Sequence, residues 1–420
     1  MADEKTGTPA SGTILVVGGG ISGITTALEA AEVGYEVFIV EKNPYLGGRV
    51  AQLNKYFPKL CPPTCGLEIN FQRIKKNNLV KWFTLTEVEK ISGGPGNYDV
   101  ILKQSPRHVN TNCTCCGKCA EACDVEIPNV FNFGMNKRKA AYLPHEMAFP
   151  QRYVIDPSII GTASAQKCKD ACPYNAVDLE EKAKTFNIKV ASVVWATGWN
   201  PYDATKMTNL AFGKVQNLIT NMMMERLAAV NGPTGGKIVR PSDGKAVNDI
   251  AFVQCAGSRD ENHLPFCSYI CCLASLKQTT YVREANPESK ATIYYIDLRT
   301  PGRYEKFYKK VKADGNVSFV KGKVAKIEED AETKDVIVTV EDTLSGKKIQ
   351  SRHEMVVLAT GMEPSTAQVK VPGNAKYDEN NFVISDEILS TGCAKKPSDV
   401  MSSGQTATGT ALKAIQMVRR

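Results

Sequence analysis

The chain has 420 residues, of which 43% are hydrophobic and 23% charged, with a net charge of +8. That length allows about two or three domains with large cores, and the scattered basic charge excludes a nucleic-acid stripe. No apolar run approaches the ~20 residues of a membrane span. Residues 1–12 lack the charged and apolar regions of a signal peptide and read as a disordered lead-in, so the expected location is the cytoplasm. In that compartment 14 cysteines point to metal ligands or redox thiols rather than structural disulfides.

In chain order, residues 13–17 (TILVV) predict a buried parallel strand. Gly18, Gly20 and Gly23 follow as G-x-G-x-x-G, with a helix over 22–33 closed by Gly34 and a second strand over 36–40 that delivers Glu41. Residues 41–70 read as loop-rich and hold Gly47-Gly48-Arg49 and Cys61-Pro62-Pro63-Thr64-Cys65. Strands are expected over 84–91 and 98–103. From about 105 to 180 cysteines, prolines and charges replace periodicity, which marks an inserted module; its cluster Lys137-Arg138-Lys139 reads as solvated surface, with an acidic protein partner as the alternative. A strand over 190–195 leads into Ala196-Thr197-Gly198. From Ile250 the pattern restarts: a strand over 250–255, a helix over 271–283 and a strand over 292–297. A hairpin-like stretch follows over 317–327 and 336–340, with a turn at Ser345-Gly346. A strand over 355–358 ends in Ala359-Thr360-Gly361, and a helix over 400–420 closes the chain. Two similar βαβ halves result.

The first fingerprint has its strand, helix and terminal acid in place, which makes it specific. Gly18 permits the tight turn, Gly20 lets backbone approach a pyrophosphate, and Gly23 lets helix and strand pack closely. The helix N-terminus offers free N–H groups to phosphates, and Glu41 accepts from a ribose hydroxyl. FAD and NAD share this pattern. Gly47-Gly48-Arg49 and the two Ala-Thr-Gly strand ends favour FAD, because they resemble two-dinucleotide-domain flavoproteins. The expected FAD set is Gly18, Gly20, Ser22, Gly23, Glu41, Lys42, Gly48, Arg49, Val88, Ala196, Thr197, Gly198 and Gly392.

The second half lacks the matching glycines. Its turn reads Cys255-Ala256-Gly257-Ser258-Arg259-Asp260, so a pyrophosphate would meet side chains where it needs bare backbone. Nicotinamide binding is therefore expected to be lost, which implies a protein electron donor or acceptor. Cys255, Cys267, Cys271 and Cys272 stand there instead. By spacing alone a metal cluster, a redox disulfide and inert buried thiols all remain open.

Cys113, Cys116, Cys119 and Cys123 form C-x2-C-x2-C-x3-C, the bacterial ferredoxin run in which the fourth cysteine serves the other cluster. Counting back from Cys172-Pro173 puts Cys168, Ala165 and Thr162 in the second run. One cluster keeps all its ligands, Cys113, Cys116, Cys119 and Cys172. The other has only Cys123 and Cys168, because Thr162 and Ala165 cannot ligate. The insert therefore holds at most one such cluster, or none. Cys115 is either a substitute ligand or a bystander. Cys61 and Cys65 are a candidate redox pair, with cluster ligation and inertness as alternatives.

The order GGG-IS-G, LGGRVAQL, a cysteine pair before GLEI, the ferredoxin insert, NLITN, GPTGGKIVRPSDGK, FVQCAGSRD and PFCSYICC resembles the heterodisulfide reductase A-subunit family over nearly the whole chain. The resemblance implies an FAD and iron–sulfur electron-transfer protein on a thioredoxin-reductase-like α/β fold with an inserted ferredoxin-like module. It also implies that Cys255, Cys267, Cys271 and Cys272 hold a [4Fe–4S] cluster. Without the extra N-terminal cluster domain and C-terminal ferredoxin of the methanogen type, the chain is similar to the short form found in heterodisulfide-reductase-like complexes of sulfur oxidisers, and electron bifurcation is put in doubt. Expected partners are a lipoate-binding protein, related subunits and a second copy of the chain. The expected division is 13–104, 185–245 and 353–420 for FAD, 105–184 for the insert, and 246–352 for the second dinucleotide-type domain.

Overall fold

The computed structural model describes residues 12–57 and 59–419; the expected lead-in lies outside the described residues apart from Gly12. A five-stranded parallel sheet runs in the order Leu389–Ser390, Ser192–Trp195, Ile14–Val17, Val37–Glu41, Val80–Thr84. Ile14, Leu15 and Val16 are fully buried in its centre, and each such side chain contributes roughly 1.5–3 kcal/mol relative to exposure. Helix α1 (Ile21–Glu32) follows the fingerprint. Helix α2 (Pro63–Lys76) replaces part of the expected loop-rich stretch. The proline pair suggested a stiff loop, yet Pro63 stands at the first helical turn, where a missing N–H costs nothing. A three-stranded antiparallel sheet of Thr86–Gly94, Asn97–Gln104 and Lys184–Val190 leans on the first sheet.

Between these last strands lies the insert, with α3 (Lys118–Ala122), α4 (Ala163–Asp170) and short hairpins. It has a small core of its own, including Val109, Ile155, Ile159 and Val177.

The second half repeats the plan. A parallel sheet runs Leu218–Thr220, Met355–Thr360, Asp249–Ala256, Lys290–Tyr295, Val317–Lys321. An antiparallel sheet of Val324–Glu329, Val336–Asp342 and Lys347–His353 stands beside it. Helices α5 (Asn221–Ala228), α6 (Cys271–Ala285) and α7 (Tyr304–Lys312) pack on the parallel sheet. The stretch expected as one hairpin arm over 317–327 divides between two sheets at Gly322, where a Cβ would sit 2.1 Å from the Glu341 carbonyl oxygen.

The sheet pairing also moves two strands. Leu218–Thr220 and Met355–Thr360, expected with the FAD part, hydrogen-bond into the second sheet. The chain crosses between halves at Trp199–Pro201 and returns at Met362–Pro364, and these segments pair antiparallel. After the short helix α8 (Ser365–Gln368), α9 (Val400–Val418) is capped by Asp399, which accepts from the Ser402 N–H at 2.7 Å, and lies against α1. Among the described residues no helix is long and apolar enough to cross a membrane.

Candidate functional site

The first parallel sheet ends at a cavity of about 990 Å³. Eleven of the thirteen expected FAD residues line it: Gly18, Gly20, Ser22, Glu41, Lys42, Gly48, Arg49, Val88, Ala196, Thr197 and Gly198. The other two stand behind the wall. A Cβ on Gly23 would lie 1.9 Å from the Gly18 carbonyl oxygen, and one on Gly392 2.1 Å from Ser22 Oγ. Gly18 has φ +111°, and its Cβ would meet the Ala196 carbonyl oxygen at 2.3 Å. The GGR loop is tied to the fingerprint by the Gly47 N–H, which donates to Gly19 O at 2.7 Å, and Gly48 approaches Gly20 more closely than any side chain would permit.

Glu41 is buried, and loss of water pushes its carboxyl above the ordinary 4.5 despite the bonds it accepts. Oε2 accepts from the Gly19 N–H at 2.7 Å, and Oε1 accepts from the Asn43 backbone and side chain at 2.8 and 2.7 Å. A carboxylate has about four acceptor sites, so room for a ribose hydroxyl remains. Arg49 donates to Trp199 O, Gln52 Oε1 and Asn200 Oδ1. Thr197 Oγ1 and Asp399 Oδ2, both on residues of the cavity wall, are buried and have no protein partner. Bare glycine backbone, a helix N-terminus and these two orphaned oxygens fit a flavin dinucleotide.

Sequence reasoning missed the insert's share of this wall. Phe131, Phe133, Arg138 and Tyr142 line the same cavity. Arg138, expected on solvated surface, is folded over the Tyr142 ring at 3.5 Å. His145 stacks on Phe131 at 4.8 Å and meets Tyr45 edge-on at 4.9 Å. Burial, with Arg226 nearby, pushes its imidazole down to about 4. Arg226 of α5 donates to Asn132 Oδ1 at 2.8 Å, which pins the insert to the second half. Only the basic cluster hinted at this contact, because the remaining contributors meet through long-range folding.

At the matching edge of the second sheet the structure gathers Cys255, Cys267, Cys271 and Cys272, close enough to perturb one another's charge. Cys255 ends its strand with φ 55°; Cys271 and Cys272 open α6. Cys271 Sγ lies 3.7 Å from Thr360 O, Cys272 Sγ lies 3.8 Å from Asp297 O, and Cys267 Sγ accepts from the Tyr269 N–H at 3.4 Å. Arg259 donates to Cys255 and pairs with Asp297. Burial raises Cys255, pushes Cys272 up to about 11 and drives Cys271 well above its ordinary value. Metal binding here would therefore release protons.

The two Ala-Thr-Gly ends have different neighbours. Ala196-Thr197-Gly198 lines the flavin cavity. Gly361 faces the cysteine loop, where a Cβ would lie 2.6 Å from both Leu264 Cδ1 and Ser258 Oγ. The ring of Tyr202 lies on Gly257, 2.5 Å from where its Cβ would be, and Tyr202 OH bonds His263 Nδ1 at 2.9 Å. A pyrophosphate at this turn would meet that ring.

In the insert, Cys113, Cys116, Cys119 and Cys172 line one cavity of about 20 Å³. Ala176 donates its N–H to Cys172 Sγ at 3.3 Å. The donor set suits a ferredoxin-type cluster, and the cavity as folded is smaller than such a cluster, so binding would spread the four thiols. Cys115 does not line this cavity; its thiol donates to Gln151 O at 3.1 Å. Among the described residues no three His, Cys, Asp or Glu side chains stand close enough for a metal ion. A cluster asks less of the fold in this respect, since each cysteine binds a different iron. Cys61 and Cys65 flank the start of α2 and do not line the flavin cavity.

Residues 13–61 match the family model described as FAD dependent oxidoreductase. The chain is 39% identical over 353 residues to an iron-sulfur A subunit of CoB--CoM heterodisulfide reductase from Methanopyrus kandleri, covering 83% of this chain and 54% of that protein. It is 34% identical over 425 residues to the A subunit of the H(2):CoB-CoM heterodisulfide,ferredoxin reductase of Methanothermobacter thermautotrophicus, covering 96% and 64%. The chain thus spans about half to two thirds of the length of these relatives. Among solved structures, thioredoxin reductase of Lactococcus lactis matches with a TM-score of 0.53 at 11% identity, covering 97% of this chain and 99% of that one. That of T. acidophilum gives 0.51 at 14%, covering 96% of each. The fold is that of the thioredoxin reductases, and by sequence the chain is similar to the A subunits of CoB-CoM heterodisulfide reductases along most of its length.

Proposed function

We propose that the chain is an FAD and [4Fe–4S] electron-transfer subunit of a heterodisulfide-reductase-like complex of the kind used in sulfur oxidation. The observation that carries this reading is the exchange of glycines for Cys255, Cys267, Cys271 and Cys272 at the second dinucleotide turn. Bound FAD supplies chemistry that handles electrons in pairs or singly, and a cluster handles them singly. The chain's own residues hold the flavin phosphates on bare backbone at Gly18 and Gly20. They close its cavity with Arg49 and the insert, and block a nicotinamide with the side chains of Cys255, Ala256 and Ser258 together with the Tyr202 ring. Partners would be a lipoate-binding protein, other subunits and a second copy of the chain, in the cytoplasm. A second cluster would use Cys113, Cys116, Cys119 and Cys172. The sheet pairing supports an FAD unit that ends near Gly198 and resumes near Ser365.

Anaerobically prepared protein should show flavin bands over a broad iron–sulfur absorbance, with on the order of four iron atoms per flavin for one cluster or about eight for two. Cys271→Ser should lower the iron count and leave the flavin in place. Colourless protein carrying zinc would overturn the reading. The alternative, an NAD(P)H-dependent disulfide reductase acting through Cys61 and Cys65, requires rapid flavin bleaching by NADH or NADPH alone.

A further inference from the structure

The insert's basic strand places in the flavin cavity a cation that no carboxylate answers. On the cavity wall, Lys42, Arg49, Arg138 and Lys370 carry positive charge. Lys42 and Lys370 are exposed, and water compensates their ammonium groups. Arg49 commits its guanidinium to Trp199 O, Gln52 Oε1 and Asn200 Oδ1. Arg138 differs from all three. Its Nε is buried and has no hydrogen-bonding partner among the described residues. The adjacent Lys139 pairs with Glu126 at 3.4 Å, whereas among the described residues no carboxylate lies within ion-pair distance of Arg138. Asp156, also on the wall, has its Oδ1 taken by the Ser158 N–H at 3.0 Å and the Ser158 hydroxyl at 2.6 Å.

The guanidinium is also held in place. Arg138 lies on the strand Lys137–Lys139, opposite Ile127, and its guanidinium covers the Tyr142 ring at 3.5 Å. Ala141–Tyr142 pairs with Val154–Ile155. Ile155 donates its N–H to Arg107 O at 3.2 Å, and Arg107 in turn donates to Pro44 O and, at 2.9 Å, to Thr84 Oγ1. Pro44 stands between Glu41 and the Gly47-Gly48-Arg49 loop that is tied to the fingerprint. A continuous set of bonds thus joins the Arg138 stack to the segment that frames the ribose and phosphates of a dinucleotide. A buried cation without a counter-charge is costly, and burial pulls the Arg138 guanidinium below its ordinary value. A dinucleotide seated on bare glycine backbone brings its phosphate charges into this same cavity.

We propose that Arg138 is a phosphate-binding residue which the insert contributes to the flavin site, pairing with the diphosphate of the dinucleotide. This rests on the FAD reading of the cavity and goes further, because it makes the insert part of the cofactor site. The guanidinium is a planar fork of N–H donors that matches phosphate oxygens, and the Tyr142 ring fixes its plane. Insert and dinucleotide then hold each other. Ordering the insert strengthens diphosphate binding, and diphosphate binding orders the insert by the same factor.

The test uses the full chain stripped of flavin and titrated calorimetrically with ADP and with adenosine. The two probes share base and ribose and differ in the diphosphate. Arg138→Gln should weaken ADP binding roughly ten- to hundredfold, the range of a hydrogen bond to a charged group, and leave adenosine binding unchanged. Lys137→Gln removes an exposed charge one residue away and outside the cavity, and should change neither. On the native chain, ADP should slow amide hydrogen exchange over residues 137–142 and adenosine should not, a readout that stands even where Arg138→Gln fails to fold. The proposal is overturned if folded Arg138→Gln protein binds ADP as the native chain does, or loses ADP and adenosine by the same factor. It is equally overturned if ADP and adenosine protect residues 137–142 alike, or if Lys137→Gln weakens ADP as much as Arg138→Gln does. Native protein that binds neither ADP nor FAD is a separate failure, that of the flavin reading itself.

Discussion

The two halves of the molecule share a plan and differ at one turn. In each, a five-stranded parallel sheet stands beside a three-stranded antiparallel one. In the first half the turn after the leading strand is bare backbone, bounded by Gly18, Gly20 and the close contact of Gly23 with Gly18. In the second it is filled by Cys255, Ser258, the Tyr202 ring and a loop that brings in three more thiols. The contrast teaches that the sheet supplies only a position at its carboxyl edge. Whether that position receives phosphate or sulfur chemistry depends on a few residues, and bare backbone at one turn or side chains at the other decide it.

The same substitution in both turns tests this most severely. Gly18→Ala places a methyl group against the Ala196 carbonyl oxygen at a φ of +111°. Backbone strain of this kind costs on the order of 1–3 kcal/mol, and the purified variant should carry almost no flavin by absorbance. Gly257→Ala is strained too, at a φ of +80°, against the Tyr202 ring. It should lower thermal stability by a similar amount and keep a full complement of flavin. Equal flavin loss from both variants would break the comparison.

Tyr202→Ala asks whether the second turn is merely plugged. Tyr202 is 6% exposed, and removing a buried aromatic side chain costs roughly 3 kcal/mol. The variant's flavin should still resist bleaching by NADH in stopped flow, because the side chains of Cys255, Ala256 and Ser258 remain where glycines are needed. Rapid bleaching would show that one ring, rather than the whole turn, excludes the nicotinamide.

The first half was legible in the sequence because its signals are local. A strand, three glycines, a helix and an acid follow one another, and the structure brings Gly18, Gly20 and Glu41 to one cavity with Gly23 packed behind its wall. The second half's cysteines were legible only as a set, since spacing alone left three chemistries open. What could not be read was what reaches the site from a distance. Phe131 and Tyr142 meet the flavin cavity because Arg226 holds the insert down, and no periodicity encodes that contact. The exchange of Met355–Thr360 into the second sheet was hidden for a related reason: its Ala-Thr-Gly end looks the same as the flavin one, and only strand pairing separates them.

The insert's lid on the first turn gives a pH test that the second turn lacks. His145 is held at about 4 against an ordinary 6.5 by burial first and Arg226 second. Its stabilising share is therefore fully present above pH 6.5 and is lost as pH falls through 4. A shift of that size is worth on the order of 2–3 kcal/mol once residual solvent access is allowed for. Acidification from 6.5 to 4 should loosen the aromatic wall and release flavin, seen as rising flavin fluorescence. His145→Phe should move that release to lower pH. Identical release curves would mean that the lid does not retain the flavin.

The contrast between kept and converted sites recurs inside the insert, with a smaller energy. Where a ferredoxin run continues with proline, this chain has Asp124, which pairs with Lys167 of α4 at 2.7 Å. The Lys167 hydrogen bond first and the Ser164 hydroxyl second hold its carboxyl at about 2 against an ordinary 3.8. A depressed carboxyl contributes stability above its unfolded value, so this share is present above pH 3.8 and lost as pH falls through 2. Both partners are solvent-exposed, so the pair is screened and its effect small. Asp124→Asn should leave flavin and iron content unchanged. The variant's stability relative to the native chain, measured by urea unfolding, should recover between pH 4 and 2 and should be less sensitive to added salt. If the difference between the two proteins stays constant over that range, the ion pair contributes nothing, and α3 is held to α4 by the buried contacts around Cys123 and Cys168 alone.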